Sequence, residues 1–270
     1  MITSSSLEQL KRRFNGRLVE PHDASYDTAR LVWNGMIDRR PALIAQCRDT
    51  RAVVSCIQFA RENDLRVAVR GGGHSVAGHG TCDHGLVIDL SGLRGVRVDP
   101  QAGVAQCGGG ATWADVDRAT QPFALATPGG VVSDTGIGGL TLGGGHGHLR
   151  NLYGLSCDNL LAAEVVTADG RVVQASEQRN RDLLWGLRGG GGNFGVVTRM
   201  DYRLHPVGPT VMFLAVFHDG ARAGEALRFY RDFNGVCPPE LSTIAFIGQV
   251  AAGAPAFPPT AHGQPFVAFV

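Results

Sequence analysis

The stretch VAVRGGGHSVAGHG, Val67 to Gly80, sets an apolar run of strand character directly before three glycines and a histidine. Glycine loses more conformational freedom on folding than any other residue. Three in a row after a strand therefore imply a main chain that turns tightly or lies close to something bound. Glycine also clusters from Gly129 to Gly154 and in GLRGGGGNFG, Gly186 to Gly195. The chain has 38 glycines in 270 residues, about twice the usual ~7% share, without a collagen period, so the excess calls for local explanations.

The remaining composition excludes several classes. A 44% hydrophobic and 18% charged chain of net charge +1 is an ordinary globular sequence with a large core. It offers no electrostatic case for nucleic acid or an anionic membrane as partner. Cys47, Cys56, Cys82, Cys107, Cys157 and Cys237 are far apart and form no CxxC pair, which suits reduced thiols and a cytoplasmic location. The N-terminal MITSSSLEQLKRRF has no apolar core of a signal peptide, and no apolar run reaches the ~18 residues that span a bilayer.

Along the chain, DTRAVVSCIQFARENDL predicts an amphipathic helix with Val53, Ile57 and Ala60 on one face and Asp49 or Thr50 as N-cap. RVAVR and GLVIDLS read as strands. GVRVDPQAGVAQCG reads as a hairpin, TWADVDRAT as a short helix capped by Thr112, and LLAAEVVTADGRVVQAS as a second hairpin turning at Asp169-Gly170. NRDLLWGL is a helix and FGVVTRMDYRL a strand. The mixture is α+β, with too many antiparallel pairs for a doubly wound fold. HPVGPT, His205 to Thr210, interrupts the pattern and suggests a boundary, with residues 1–206 and 207–270 as separate domains. Beyond it VMFLAVF, LSTIAFIGQV and PFVAFV read as strands, and ARAGEALRFYRDF as a helix with Leu227, Tyr230 and Phe233 near one face. Ending in an apolar run predicts an unpaired hydrophobic edge, and hence a second domain that is incomplete.

A glycine turn after a strand can aim successive N–H groups at a phosphate, and Arg70 would add charge and bidentate hydrogen bonds to a pyrophosphate. Neither standard nucleotide fingerprint is present: no G-x-x-x-x-G-K-[ST] occurs, and GIGGLTLGGG lacks a βαβ context. For His74 three roles stand open on residue chemistry alone. It is a hydrogen-bonded loop histidine, a metal ligand with His79, Cys82 and His84, or a nucleophile toward a cofactor carbon. The metal reading lacks a helix or knuckle to present the four groups.

Three segments in order and at matching spacing, VAVRGGGHSVAGHGTCDHGLVIDLS, ATPGGVVSDTGIGGLTLGGGHGHLRNLYGLSCDNLLAAEVVTADGRVV and LLWGLRGGGGNFGVVTRMDYRLHPV, resemble the FAD-binding domain of berberine bridge enzyme-like oxidases. These have the vanillyl-alcohol oxidase, or PCMH-type, fold of two α+β subdomains, here followed by the start of an α/β substrate domain. The resemblance runs from about Asn34 to Pro209 and implies an FAD-dependent oxidoreductase. Such an enzyme takes hydride from an alcohol, sugar or amine-bearing natural product and passes electrons to O2 or another acceptor. It implies that Arg70, Gly71, Gly72 and Gly73 cradle the FAD pyrophosphate, with Ser75, Gly78 and His79 in the same loop, and that His74 bonds the flavin 8α-methyl carbon. Pro128, Gly129, Thr135, Gly136, Gly138, Gly139, Gly143 and Gly144 would lie along the pyrophosphate and flavin, and Gly195 and Val197 toward the adenine end.

The chain departs from the family pattern in places. Where many members carry a second, cysteinyl tether, GVVSDTGIGG has Val132, so a single histidyl bond is expected; Cys157 lies outside that motif and reads as a buried structural cysteine. Thr135 holds the position that influences oxygen access in the family, which leaves oxidase and dehydrogenase both open. The family's catalytic base belongs to the substrate domain and is expected beyond Val270. His146 and His148 are the nominees within this chain, although either can simply pack near the glycine turn. The other function class is a non-catalytic flavin-binding remnant.

Overall fold

The continuous apolar runs in LIAQC and LVID build the first of two sheets around which the N-terminal part of the chain folds. The computed structural model describes residues 2–270, which divide into two compact units, one ending at Val207 and the other running from Gly208 to Val270. The first unit opens with α1 (Ser4–Arg13), β1 (Gly16–Val19), α2 (Tyr26–Ala29), β2 (Leu43–Cys47), α3 (Thr50–Glu62), β3 (Val67–Arg70) and β4 (Leu86–Asp89). The strands lie in the order β1-β2-β4-β3, with β2 and β3 both parallel to β4 and β1 antiparallel to β2. Successive β2 side chains point to opposite faces. Leu43, Ala45 and Cys47 therefore pack with Val53, Ile57 and Phe59 of α3 and Leu10 of α1, while Ile44 joins Val19, Tyr26 and Val87 behind the sheet. Both faces are covered, so all of LVID is buried. Asp49 caps α3 as expected, its Oδ1 accepting from the Ala52 N–H at 2.7 Å.

The second sheet comprises β5 (Val96–Asp99), β6 (Val104–Gly108), β8 (Leu160–Val166), β9 (Val172–Ser176) and β10 (Val196–Arg203), with α4 (Trp113–Thr120), β7 (Leu125–Ala126), α5 (Ile137–Leu142), α6 (Arg150–Tyr153), α7 (Arg181–Leu187) and β11 (His205–Pro206) around it. Its order is β5-β6-β10-β8-β9, antiparallel throughout. Both hairpins form as the turn residues predict, Gly170 taking φ +83 at the second. The core joins Trp113 and Val116 of α4, Ile137 of α5, Leu184 and Leu187 of α7, and Met200 and Tyr202 of β10. Tyr202 is fully buried, its hydroxyl 2.7 Å from that of Thr141, and burial pushes its phenol well above the ordinary range. The short pair β7 and β11 closes the unit.

The second unit contains β12 (Val216–Asp219), α8 (Ala223–Asn234), β13 (Ala245–Gln249) and β14 (Pro265–Phe269). Here two expectations are corrected. The apolar run at the C-terminus is no free edge: β14 is the middle strand of an antiparallel sheet ordered β12-β14-β13, with Val267 and Ala268 buried. And VMFLAVF is not one strand, because pairing with β14 starts only at Val216 and leaves Val211 to Leu214 exposed. Tyr230 of α8 stacks on Phe269 at 4.7 Å.

Candidate functional site

The loop that follows β3 leaves the carboxyl end of a parallel strand, the side on which open sheets with parallel strands place ligands. Arg70 pairs in register with Asp89 of β4, and the two side chains form a buried ion pair at 2.8 Å. The guanidinium also donates to the Leu31 carbonyl. The Arg70 side chain is thereby anchored inside the fold at the base of the loop, and the loop's open side is main chain.

Three glycine segments meet there. A Cβ on Gly72 would sit 2.3 Å from the Gly136 nitrogen, and one on Gly136 would sit 2.2 Å from the Gly72 nitrogen. Gly71 and Gly138 both face the Gly109 carbonyl, at 3.6 and 3.1 Å from their would-be Cβ positions. Gly108 to Gly110 had escaped the sequence reading, although CGGGAT repeats the strand-then-three-glycines pattern of VRGGGH. Gly109 and Gly110 are close-packed as well, a Cβ on either falling within 2.1 Å of a carbonyl oxygen. Gly136 is held to the start of α4: the Trp113 N–H donates to the Thr135 carbonyl at 3.1 Å, and the Ile137 N–H to Ala111 at 3.0 Å. Glycine at these places is a packing requirement. Gly139, by contrast, is exposed and would give a Cβ open space.

His74 stands over this junction, partly exposed. Trp33 stacks on its imidazole with centroids 5.5 Å apart and planes 20° from parallel, and the Trp33 N–H donates to the Gly73 carbonyl at 3.1 Å. Asp134 places Oδ1 3.4 Å from Nε2. Neither partner was foreseen, since both lie far from His74 in sequence. Ser75 and Gly78 form the turn that continues the loop: the Gly78 N–H donates to the Ser75 carbonyl, the Ser75 hydroxyl oxygen accepts from the His79 N–H, and Gly78 takes φ +75. The His79 side chain is exposed, as is that of His84, while Cys82 is buried with Sγ toward Leu86.

The second glycine run folds beside Trp113. A Cβ on Gly129 would lie 2.5 Å from the indole, and Gly147 passes so close to Gly129 that a Cβ there would overlap its carbonyl oxygen. Gly144 takes φ +112, and its carbonyl accepts from the Cys157 N–H at 2.9 Å; Gly143 ends α5. His146 and His148 are exposed, and burial raises the pKa of the Cys157 thiol. Gly195, at φ +137, passes within 2.5 Å of the Val166 carbonyl at its would-be Cβ, and Val197 is a core residue of β10.

Two buried polar atoms at this run have no hydrogen-bond partner among the described residues, Trp113 Nε1 and Thr127 Oγ1. A donor and a hydroxyl left unpartnered beside Pro128, Gly129 and Gly130, together with the glycine main chain of Gly71 to Gly73 and the exposed Gly139, fit a large flat polar group such as FAD. Among the described residues no three His, Cys, Asp or Glu side chains gather as a metal site, and no helix is long and apolar enough to cross a membrane.

Comparison with known proteins agrees with this geometry. The family described as FAD binding domain matches residues 41–176. FAD-linked oxidoreductase pgmH of Aspergillus terreus is 41% identical over 212 residues, 77% of this chain and 43% of that protein. The crystal structure of 6-hydroxy-D-nicotine oxidase from Arthrobacter nicotinovorans superposes with a TM-score of 0.87 at 29% identity, covering 95% of this chain and 55% of that one. Physcomitrella patens BBE-like 1 gives a TM-score of 0.82 at 27% identity over 97% and 55%. The chain thus spans about half the length of the proteins it matches.

Proposed function

The chain belongs to the FAD binding domain family of FAD-linked oxidoreductases, and from that premise we propose that it holds FAD covalently through His74 and removes hydride from a small alcohol, sugar or amine. FAD, when bound, accepts the hydride and passes the electrons to O2 or another acceptor. The chain's own contribution is to bind and orient. Main-chain N–H groups of the Gly71–Gly73 loop would hold the phosphates, the open space at Gly139 would take the flavin, and Gly195 would hold the adenine end. Trp113 Nε1 and Thr127 Oγ1, both without a partner among the described residues, would donate to the cofactor's polar edge. A tether prevents dissociation, and a nitrogen substituent on the methyl carbon withdraws electron density from the ring, which makes it a stronger oxidant. The six free cysteines support a cytoplasmic location for this activity.

The observation that carries the reading is the junction itself: a histidine held by ring stacking and a carboxylate over three glycine segments packed main chain to main chain. Acid precipitation of the purified protein tests it. Flavin absorbance and fluorescence are expected in the wild-type pellet and in the supernatant of His74→Ala. A folded wild type without flavin, or with all of it in the supernatant, would overturn the covalent reading.

A further inference from the structure

We propose that Asp134 is the positioning residue for the tether: it holds the Nε2 edge of His74 and takes its proton, so that Nδ1 forms the bond to the flavin. This rests on the histidyl attachment proposed above.

The imidazole is restrained on three sides. The Trp33 N–H to Gly73 carbonyl bond fixes the main chain beneath it, the Trp33 indole covers one ring face, and Asp134 Oδ1 stands 3.4 Å from Nε2. Asp134 Oδ1 is within ion-pair distance of Nε2, and a carboxylate there favours the tautomer with its hydrogen on Nε2. The neutral ring then has its lone pair on Nδ1. Asp134 makes no other ion pair among the described residues, and its side chain is 73% exposed, so the fold does not use it elsewhere. Its main chain, in contrast, is fixed: the Ala114 N–H donates to the Ser133 carbonyl at 2.8 Å, and the Thr135 N–H to Val132 at 3.1 Å. Asp134 is carried by the second glycine segment and His74 by the first. The contact of Gly72 with Gly136 is therefore what brings carboxylate and imidazole together.

The step balances as follows. Nδ1 forms a bond to the methyl carbon, which gives up one hydrogen as a proton, and the Nε2 proton passes to Asp134. Two electrons leave the new carbon centre through the ring and reduce dioxygen, which takes up two protons and departs as hydrogen peroxide. Dioxygen is the oxidant. The carboxylate's part is to remove positive charge from the imidazole as the bond forms.

The test follows the growth of acid-precipitable flavin in wild type, Asp134→Asn, Asp134→Glu and His74→Ala incubated with FAD in air, together with total bound FAD before acid. Asp134→Asn is expected to bind FAD as wild type does but to tether it about a hundredfold more slowly, at the low end of general-base contributions, with Asp134→Glu restoring the rate to within about tenfold. NMR of the flavin peptide is expected to show substitution at Nδ1. Tethering of Asp134→Asn at the wild-type rate, substitution at Nε2, or loss of bound FAD in parallel with the tether would each overturn the role of Asp134. Wild-type tethering in His74→Ala would instead overturn the histidyl premise, which the Asp134 variants leave untouched.

Discussion

At Gly72 and Gly136 the main chains of two loops touch, and no side chain fits at either position without moving backbone. Gly72→Ala forces a Cβ to 2.3 Å from an amide nitrogen. Overpacking of this kind costs about 1–3 kcal/mol, read as a lower urea midpoint, and flavin retention is expected to fall with it. Gly139→Ala separates the two effects. A Cβ there meets nothing within 4 Å, and alanine favours a helix over glycine by about 1 kcal/mol, so the apoprotein is expected to be as stable as wild type or more so. If the open space is where the flavin lies, the same variant binds FAD more weakly. Unchanged FAD affinity in Gly139→Ala would remove that position from the cofactor site. Sequence alone marks all these residues as glycines and does not tell the two kinds apart, because the distinction depends on what stands opposite each one.

The elements behave according to their local signals wherever those signals are strong. Asp49 caps α3, Asp169-Gly170 turns the second hairpin, and Thr112 begins α4, where Asp115 accepts from its N–H and hydroxyl, both at 2.9 Å. The short pair β7 and β11 gave no such signal, since two-residue strands have no periodicity to read. His205 of β11 stacks on Tyr153 at 3.9 Å and stands 2.7 Å from Asn159 Oδ1, tying β11 to the segment that follows α6. Burial, with Arg203 nearby, lowers its pKa from the ordinary 6.5. The unfolded chain then binds more protons than the folded one between the folded value and 6.5. The stability this residue contributes is thus complete above 6.5 and lost as pH falls through the folded pKa. Urea midpoints at neutral and mildly acidic pH are expected to differ less in His205→Gln than in wild type, and an equal difference in both would contradict this assignment.

At the scale of the whole molecule, the three core clusters draw all their buried residues from Leu7 to Leu204, inside the first unit. Residues 1–207 produced alone are expected to unfold in one cooperative transition and to keep FAD; a broad, non-cooperative melt would show that the remaining residues are needed for folding. The sequence by itself determined the α+β class, the order of the main strands and helices, the glycine loops and the histidine among them. Each of these is written in contiguous residues, as alternation, capping or a turn. Only the tertiary structure decided that Arg70 pairs with Asp89, that β14 is a central strand, and that Gly109, Trp33 and Asp134 come to stand beside the first glycine loop and its histidine. Those outcomes are contacts between residues up to 60 positions apart, as Asp134 is from His74. They arise from the packing of loops onto loops, for which no local periodicity exists to announce the partner.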